Sequence, residues 1–475
     1  MPQTITIDPV TRLEGHGKIT LRLNDLGLVE DAKFSVTQVR GFEKFSEGRP
    51  FYEMPSLMAR VCGICPVSHL LASAKAGEAI MSVRIPYTAT LLRSICNLAQ
   101  MIQSHALSFF YLSSPDLLLG MDSDPVTRNI FGVVGANPQI GKAGIGLRRF
   151  GQTIIEILGT KRIHTGWIVA VGVTDPLTAE KREKILDLLP EAYANAKLAL
   201  QWYKSILPTF KREASTFATE PSAFLGMVGK DGKFELTDGT LTLIDAQGSP
   251  IAEGITAAQF DTLFGEAVEP YSFTKFSYFK ALGYPEGSYR VGPLARLNIA
   301  KTMDTPLAEA ELQEFRQLEG GNGPIQGSFH FHQARLVEIL YGIEKIEELL
   351  ADAEILSPHV RATAGVNSLE GAGISEAPRG TLMHHYKVDP NGLMTWSNLV
   401  IATGQNNHAM NRGILQVAKE FVRGNELEQG MLNRVEAVIR TFDPCLSCST
   451  HAYGQMPLAI ELRNPQNKLL SKITR

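Results

Sequence analysis

A chain of 475 residues with 44% hydrophobic side chains is long enough for a large buried core and for more than one domain. Its 46 basic and 49 acidic residues are interspersed and leave a net charge of −3, so there is no polybasic footprint for nucleic acid or for an anionic membrane surface. No apolar run reaches the roughly 18 residues of a membrane span, and the N-terminus, MPQTITIDP, lacks the basic-then-apolar pattern of a secretory signal, so the expected setting is the cytoplasm.

The opening TITIDPVTRLEGHGKITLRLN and the following LVEDAKFSV alternate apolar and polar residues, broken by Gly and Asp-Pro. They predict a small antiparallel sheet with residues 12–17 in its turn. From Pro55 the period becomes helical, in PSLMARVCGICPVSHLLASAKAGEAIM, ATLLRSICNLAQMIQSHALSFFYL, KAGIGLRRFGQTIIEILGTKR, AEKREKILDLLPEAYANAKLALQWYKSIL and SFHFHQARLVEILYGIEKIEELL. Residues 224–254 return to short strands with turn pairs (GKDGKFEL, TDGTLTLID, AQGSP), which predict a β insertion on a helical body. A last helix is predicted from near Gln405, in GQNNHAMNRGILQVAKEFVRG. The fold class is therefore α+β: a predominantly helical body with a small N-terminal antiparallel sheet and a β insertion.

Five cysteines are too few and too odd for a disulfide framework. Four of them form two CxxC pairs, Cys62 and Cys65 in RVCGICPVSH, and Cys445 and Cys448 in DPCLSCSTH, at opposite ends of the chain. Each pair can chelate one ion, and thiolates suit zinc, iron-sulfur or nickel-type centres. A ribbon-type zinc site has about 15–20 residues between its pairs, which this arrangement lacks. Spacing alone leaves open a structural zinc, a redox or catalytic metal, and two unrelated reduced turns. Cys96 lies in an apolar helical stretch and reads as core.

With TRLEGHG, RGFEKFSEGRP, RVCGICPVSH, EAPRG and DPCLSCSTH in this order, from Arg12 to His451, the chain resembles the large subunit of nickel-iron hydrogenases. CGICPVSHLLASAKA and DPCLSCSTHA are most similar to the soluble, bidirectional, NAD(P)-linked type. The resemblance implies a large-subunit domain over residues 1–451 and reversible splitting of hydrogen into protons and electrons. The cofactor it implies is a nickel-iron centre whose iron carries carbon monoxide and cyanide. Cys62 and Cys445 would be terminal nickel ligands, and Cys65 and Cys448 would bridge to iron. His69 would hydrogen-bond a bridging sulfur, and Thr403 in ATGQNN an iron-bound cyanide. Glu14 would take the proton from Cys445, a task that suits a partly desolvated carboxylate. Arg379 would sit over the open metal position, paired with Asp443 and Asp116, the latter preceded by Ser-Ser-Pro where the family more often has His-Ala-Leu. Glu43, His451 and the carbonyl of Leu399 would bind magnesium, or Fe2+ in its place.

The same resemblance implies that residues 452–475 are a maturation device, holding the C-terminal cysteine pair open until nickel-insertion proteins have acted. A dedicated endopeptidase would then cut between His451 and Ala452. One cysteine outside the four cannot ligate a four-cysteine cluster. The glycines of GKAGIGLRRFG have Arg149 where a dinucleotide fingerprint needs glycine. Electrons and NAD therefore call for partners: an iron-sulfur small subunit, plus diaphorase subunits with flavin and iron-sulfur clusters. The rivals are a deazaflavin- or heterodisulfide-linked hydrogenase, a hydrogen-sensing regulatory hydrogenase, and the non-enzymatic quinone-site subunit of respiratory complex I, which lacks the four cysteines.

Overall fold

Alternation at the N-terminus produces what its period requires. β1 (Gln3–Ile7), β2 (Gly17–Leu23) and β3 (Val29–Val36) form an antiparallel sheet in the order β1-β2-β3, with Ile19 and Leu21 on the buried face. The computed structural model describes residues 3–423, 427–451, 459–464, 466 and 468–474. The link between β1 and β2 is longer than the predicted turn, and it carries Glu14 away from the sheet into an isolated bridge with Cys445.

The predicted helix from Pro55 is broken. A short helix, Met54–Met58, passes through a 3-10 turn, Ala59–Val61, to an extended Cys62, and α1 (Pro66–Met81) starts only after Cys65. Pro66 at the first helical position fixes that start, since its missing N–H is one the helix could not have bonded. The next segment is α2 (Tyr87–Ala106), which runs into a π-helical turn, Leu107–Ser113, before Ser114–Leu119. α3 (Pro138–Gly159) contains the whole of GKAGIGLRRFG, so those glycines form helix interior and not a phosphate-binding turn. The long segment ending at Ile206 is divided into Ala179–Leu186 and α4 (Leu189–Ile206), with Pro190 in the first turn of the second helix.

The β insertion is a four-stranded sheet. β4 (Ala223–Val228), β5 (Thr240–Ile244) and β6 (Pro250–Ile255) pair antiparallel, and β7 (Tyr289–Arg290) adds in parallel to β4, giving the order β7-β4-β5-β6. α5 (Phe331–Leu350) follows as predicted, buried for most of its length. After it comes a third sheet that was not predicted: β8 (Glu370–Ala377), β9 (Gly380–Val388) and β10 (Met394–Val400), antiparallel in that order. The predicted last helix is α6 (Ala402–Phe421), starting three residues earlier than Gln405, and it is not the last: α7 (Gln429–Phe442) follows it and delivers the chain to Cys445. Beyond the site, Ala459–Arg463 and Leu469–Thr474 pair as an antiparallel hairpin. No described helix is long and apolar enough to cross a membrane.

Sheet β8-β9-β10 carries Arg379 and Leu399, and α1 carries His69, with Cys65 at its N-cap, so their packing sets the site. Strand β8 lies directly on α1. A Cβ at Gly373 would come 2.2 Å from the Ala72 carbonyl oxygen, and one at Gly371 2.4 Å from that of Ala76. Gly373→Val should therefore push β8 off the helix and lower stability by about 1–3 kcal/mol. Denaturant unfolding checks this, and an unchanged midpoint would show that the strand has room to spare.

Candidate metal centre

The four motif cysteines meet. Their sulfurs all lie within 4.8 Å of one another, and all four residues are buried. Cys62 and Cys65 are 2.9 Å apart, Cys445 and Cys448 2.7 Å, Cys62 and Cys445 3.6 Å, and Cys65 and Cys448 3.9 Å. All five cysteines of the chain are unbridged thiols. Cys96 is buried elsewhere, in the main core, where burial pushes its thiol up to about 12.

Local structure explains each position. The N–H groups of Ile64 and Cys65, at the open start of α1, donate to the Cys62 sulfur at 3.2 and 3.1 Å. A helix N-terminus favours thiolate there. On the other side α7 ends at Asp443, whose left-handed backbone (φ 52°) turns the chain sharply. The segment then runs beside the N-terminal loop: the Leu446 N–H donates to the Glu14 carbonyl at 3.1 Å, and the Ser447 N–H to the Glu14 carboxylate at 3.0 Å. Gly15, at φ 88°, makes this approach possible, because a Cβ there would lie 2.7 Å from that of Leu446. The Cys445 N–H is satisfied by the hydroxyl of Thr403, at the start of α6, at 2.9 Å.

The electrostatics are those of a site built for a cation. Hydrogen bonds from Cys445, then Cys448 and Cys62, hold the Cys65 thiol well below its usual range, whereas burial and the neighbouring thiols raise Cys445 and Cys448 well above theirs. Four sulfurs this close in a dry pocket cannot all ionise without a positive partner, and soft sulfur donors select a soft or borderline metal.

Around the nest, Glu14 Oε2 lies 3.1 Å from the Cys445 sulfur. Arg379 occupies the two-residue turn between β8 and β9 and donates from Nε to the Asp443 carbonyl at 2.6 Å and from Nη2 to Asp443 Oδ1 at 3.2 Å. Burial would lower this guanidinium, but Asp443 and then the Cys445, Cys65 and Cys62 sulfurs outweigh it and hold Arg379 well above its usual range.

Asp116 is the correction. It does not pair with Arg379. Its carboxylate takes Arg12 Nη2 at 2.5 Å, Arg440 Nε at 3.1 Å and Asn433 Nδ2 at 3.0 Å. Burial would raise it, but Arg440 and Arg12 hold it low. The π-helical turn before it sets its direction, and the result is a clamp that joins the Glu14 loop to α7.

His69, one helical turn after Cys65, hydrogen-bonds that sulfur and also shares a 3.1 Å bond with His384, which reaches the Tyr386 hydroxyl at 2.7 Å; that hydroxyl donates to Ser73 at 2.8 Å. His384 and Tyr386 were not among the predicted residues. Their signal was present in the sequence: residues two apart on a strand share a face.

At the third predicted cluster, the Leu399 N–H donates to Glu43 Oε1 at 2.9 Å, and Lys275 reaches the same oxygen at 3.4 Å, with Glu266 and Asn398 as its nearer partners at 2.6 and 2.7 Å. His451 is buried against the Phe42 ring, 5.2 Å between centroids, and neither of its ring nitrogens has a hydrogen-bond partner among the described residues. Unpartnered buried imidazole nitrogens on a histidine packed against Phe42, the chain neighbour of the half-buried Glu43, fit a cation site.

The C-terminal cysteine pair is closed in toward the N-terminal loop. Cys445, Cys448 and His451 are buried, and contacts to Thr403 and Glu14 hold the segment from Cys445 to Ser447. Ala452 lies outside the described residues.

A buried nest of four thiols flanked by a carboxylate and a guanidinium defines a metalloprotein of the redox class, and comparison narrows it. A model for nickel-dependent hydrogenases matches residues 40–122 and 243–451, and a HoxL-like model matches residues 4–39. The NAD-reducing hydrogenase HoxS subunit beta of Cupriavidus necator is 39% identical, covering 100% of both chains. The vhc F420-non-reducing hydrogenase chain of Methanococcus voltae is also 39% identical, over 98% of this chain and 99% of its own. A crystal structure of an NAD+-reducing [NiFe]-hydrogenase in the H2-reduced state superposes with a TM-score of 0.92 at 40% identity, covering 94% of this chain and 99% of that one. The chain belongs to the nickel-dependent hydrogenase family, as a large subunit of the nickel-iron type.

The Thr403 hydroxyl is the sole partner of the Cys445 N–H among the described residues. Thr403→Val keeps the shape and removes that acceptor, so it should cost about 1–3 kcal/mol. A denaturation midpoint equal to that of the parent chain would show that another group takes over.

Proposed function

We propose that this chain is the hydrogen-splitting subunit of a cytoplasmic complex that passes electrons to NAD(P)+. The observation that carries the catalytic part is the 3.1 Å contact between Glu14 and the Cys445 sulfur inside a nest of four buried thiols. The acceptor is supported by the NAD-reducing activity for which the Cupriavidus necator relative and the superposed crystal structure are named. Cys62, Cys65, Cys445 and Cys448 would hold the nickel, Cys65 and Cys448 sharing it with an iron that bears carbon monoxide and cyanide. When bound, that centre supplies the redox-active site at which hydrogen is split.

The chain's own residues do the rest. Glu14 accepts a proton at the Cys445 sulfur and carries it toward the N-terminal loop. Arg379, fixed by Asp443, keeps a positive charge beside the sulfurs and tempers the charge that four thiolates would gather. His69, supported by His384 and Tyr386, steadies the Cys65 sulfur. Thr403 fixes the backbone of Cys445 and would hydrogen-bond an iron-bound cyanide. Glu43, the Leu399 carbonyl and His451 would bind magnesium and hold the C-terminal segment closed.

Electrons leave through other chains: with four of five cysteines in the nest, this one has no ligand set for a four-cysteine cluster. The partners are diaphorase subunits carrying flavin, together with an iron-sulfur small subunit. Nickel-insertion proteins and an endopeptidase cutting after His451 would complete maturation; the family match ends at that residue. A hydrogenase assembly with another electron acceptor is the second reading, favoured by the equal identity of the Methanococcus voltae relative, which is named an F420-non-reducing hydrogenase.

Active complex purified anaerobically should contain equimolar nickel and iron, show infrared bands of iron-bound carbon monoxide and cyanide, reduce NAD(P)+ with hydrogen, and carry this chain with its C-terminus at His451. Stoichiometric zinc without those bands would overturn the metal assignment. Partner chains lacking a diaphorase would favour the second reading, and full-length chain in active complex would refute cleavage.

Glu14→Gln keeps the shape of the side chain but cannot take a proton. Hydrogen/deuterium exchange should fall by about 10²–10⁴-fold, with nickel content retained. Exchange at the parent rate would remove Glu14 from the proton path.

A further inference from the structure

Near Asp443 lies a charge that the proposed chemistry does not use. Arg335, on α5, is fully buried, and none of its three guanidinium nitrogens has a hydrogen-bond partner among the described residues. One face of the guanidinium covers the Phe331 ring, 5.4 Å from its centroid. That contact uses the π-face and leaves the five in-plane N–H groups pointing elsewhere. An ionised group without a partner in such a place is very costly, so an acceptor must be found.

The neighbouring charges leave one choice. Asp443 and Glu338 attract Arg335, while Arg379 and Arg296 repel it. Glu338 is already engaged on both oxygens, taking Arg296 at 2.8 and 2.7 Å and His105 at 2.7 Å. Asp443 has one free oxygen: Oδ1 takes Arg379, whereas Oδ2 is buried and unpartnered, and so is Nη1 of Arg379 itself. Phe331, which Arg335 covers, packs at 5.2 Å between ring centroids on Phe442, the chain neighbour of Asp443, so the unpartnered groups of Arg335, Asp443 and Arg379 belong to one neighbourhood that offers both donors and acceptors. The small species that satisfies both kinds at once is water, which in protein interiors makes two to four such bonds. An anion would satisfy the two arginines but would be repelled by Asp443.

We propose that Arg335 is a positioning residue for the sulfur nest: through bridging water it holds the Oδ2 side of Asp443, and through Asp443 it fixes the guanidinium of Arg379 beside the four sulfurs. The inference rests on the placement of Arg379 in the catalytic reading, but its structural half stands without it. Burial draws Arg335 down to about 10, which still leaves it charged at neutral pH.

The first measurement uses the matured wild-type complex. A high-resolution crystal structure should show ordered water within about 3.2 Å of both an Arg335 nitrogen and Asp443 Oδ2. A dry gap, or a direct pair between the two side chains, overturns the bridge. The second is a double-mutant cycle with Arg335→Met, Asp443→Asn and both together, reading kcat and KM for hydrogen. Arg335→Met alone should lower kcat roughly ten- to hundredfold with little change in KM, and should cost much less in the Asp443→Asn background, because the two act in series. Losses that multiply fully across the cycle would make Arg335 merely structural. Parent turnover in Arg335→Met would also overturn the proposal. The density measurement decides the bridge even if Arg335→Met does not fold, and its failure leaves the hydrogenase assignment intact.

Discussion

Everything in this molecule depends on bringing two ends of one chain together around four sulfurs. The join is made by backbone: Glu14 and Cys445 form an isolated bridge, the Leu446 N–H meets the Glu14 carbonyl, and Gly15 lets the two strands of chain touch. Side chains then lock it. Asp116 holds Arg12 from the N-terminal loop and Arg440 from α7 in the same carboxylate. A buried ion pair is weak evidence of stability, since desolvation offsets much of its attraction. Its geometry, however, leaves few alternatives, and here the clamp fixes how the Glu14 loop meets the end of α7.

The same constraint explains why buried charge is so plentiful near the nest. Arg296, Glu338, Glu376 and His105 form a paired, fully buried group, and Arg379, Asp443 and Arg335 lie beside it. A core made only of Leu and Ile would pack as tightly but would offer no charge to set beside the sulfurs. Charges set at fixed positions in a low-dielectric interior act strongly on one another, and Arg379 is the member of this group whose charge meets the Cys445, Cys65 and Cys62 sulfurs.

Much of the centre could be read from the sequence because its signals are local. Cys-x-x-Cys is a chelating unit wherever it falls, and a carboxylate two residues from a conspicuous arginine, as in TRLEG, marks an unusual loop. Helices with a clear apolar period, such as α3 and α5, were legible for the same reason. What was hidden depends on tertiary partners. Strands β8 to β10 are buried on much of both faces, so their alternation fades into an apolar run. Periodicity continues through Cys62 and through Pro190, although the helix does not. Asp116 could be placed by register, but which guanidinium reaches it is decided by the π-helical turn and by α7, neither of which a motif reports. Arg335 reads as one more polar residue on a helix until its neighbours are in place.

The left-handed turn at Asp443 has a consequence for how the protein comes into being. Everything that closes the nest, from that turn through Cys445, Cys448 and His451, is made after most of the core-forming helices and sheets have been synthesised. Domains fold from the N-terminal side as synthesis proceeds, so the large core can be complete while the nest still has only two sulfurs. A prematurely ended chain would look well folded by every measure of packing and yet be chemically blank. The arrangement thus makes synthesis through Cys448 the condition for gathering all four sulfurs.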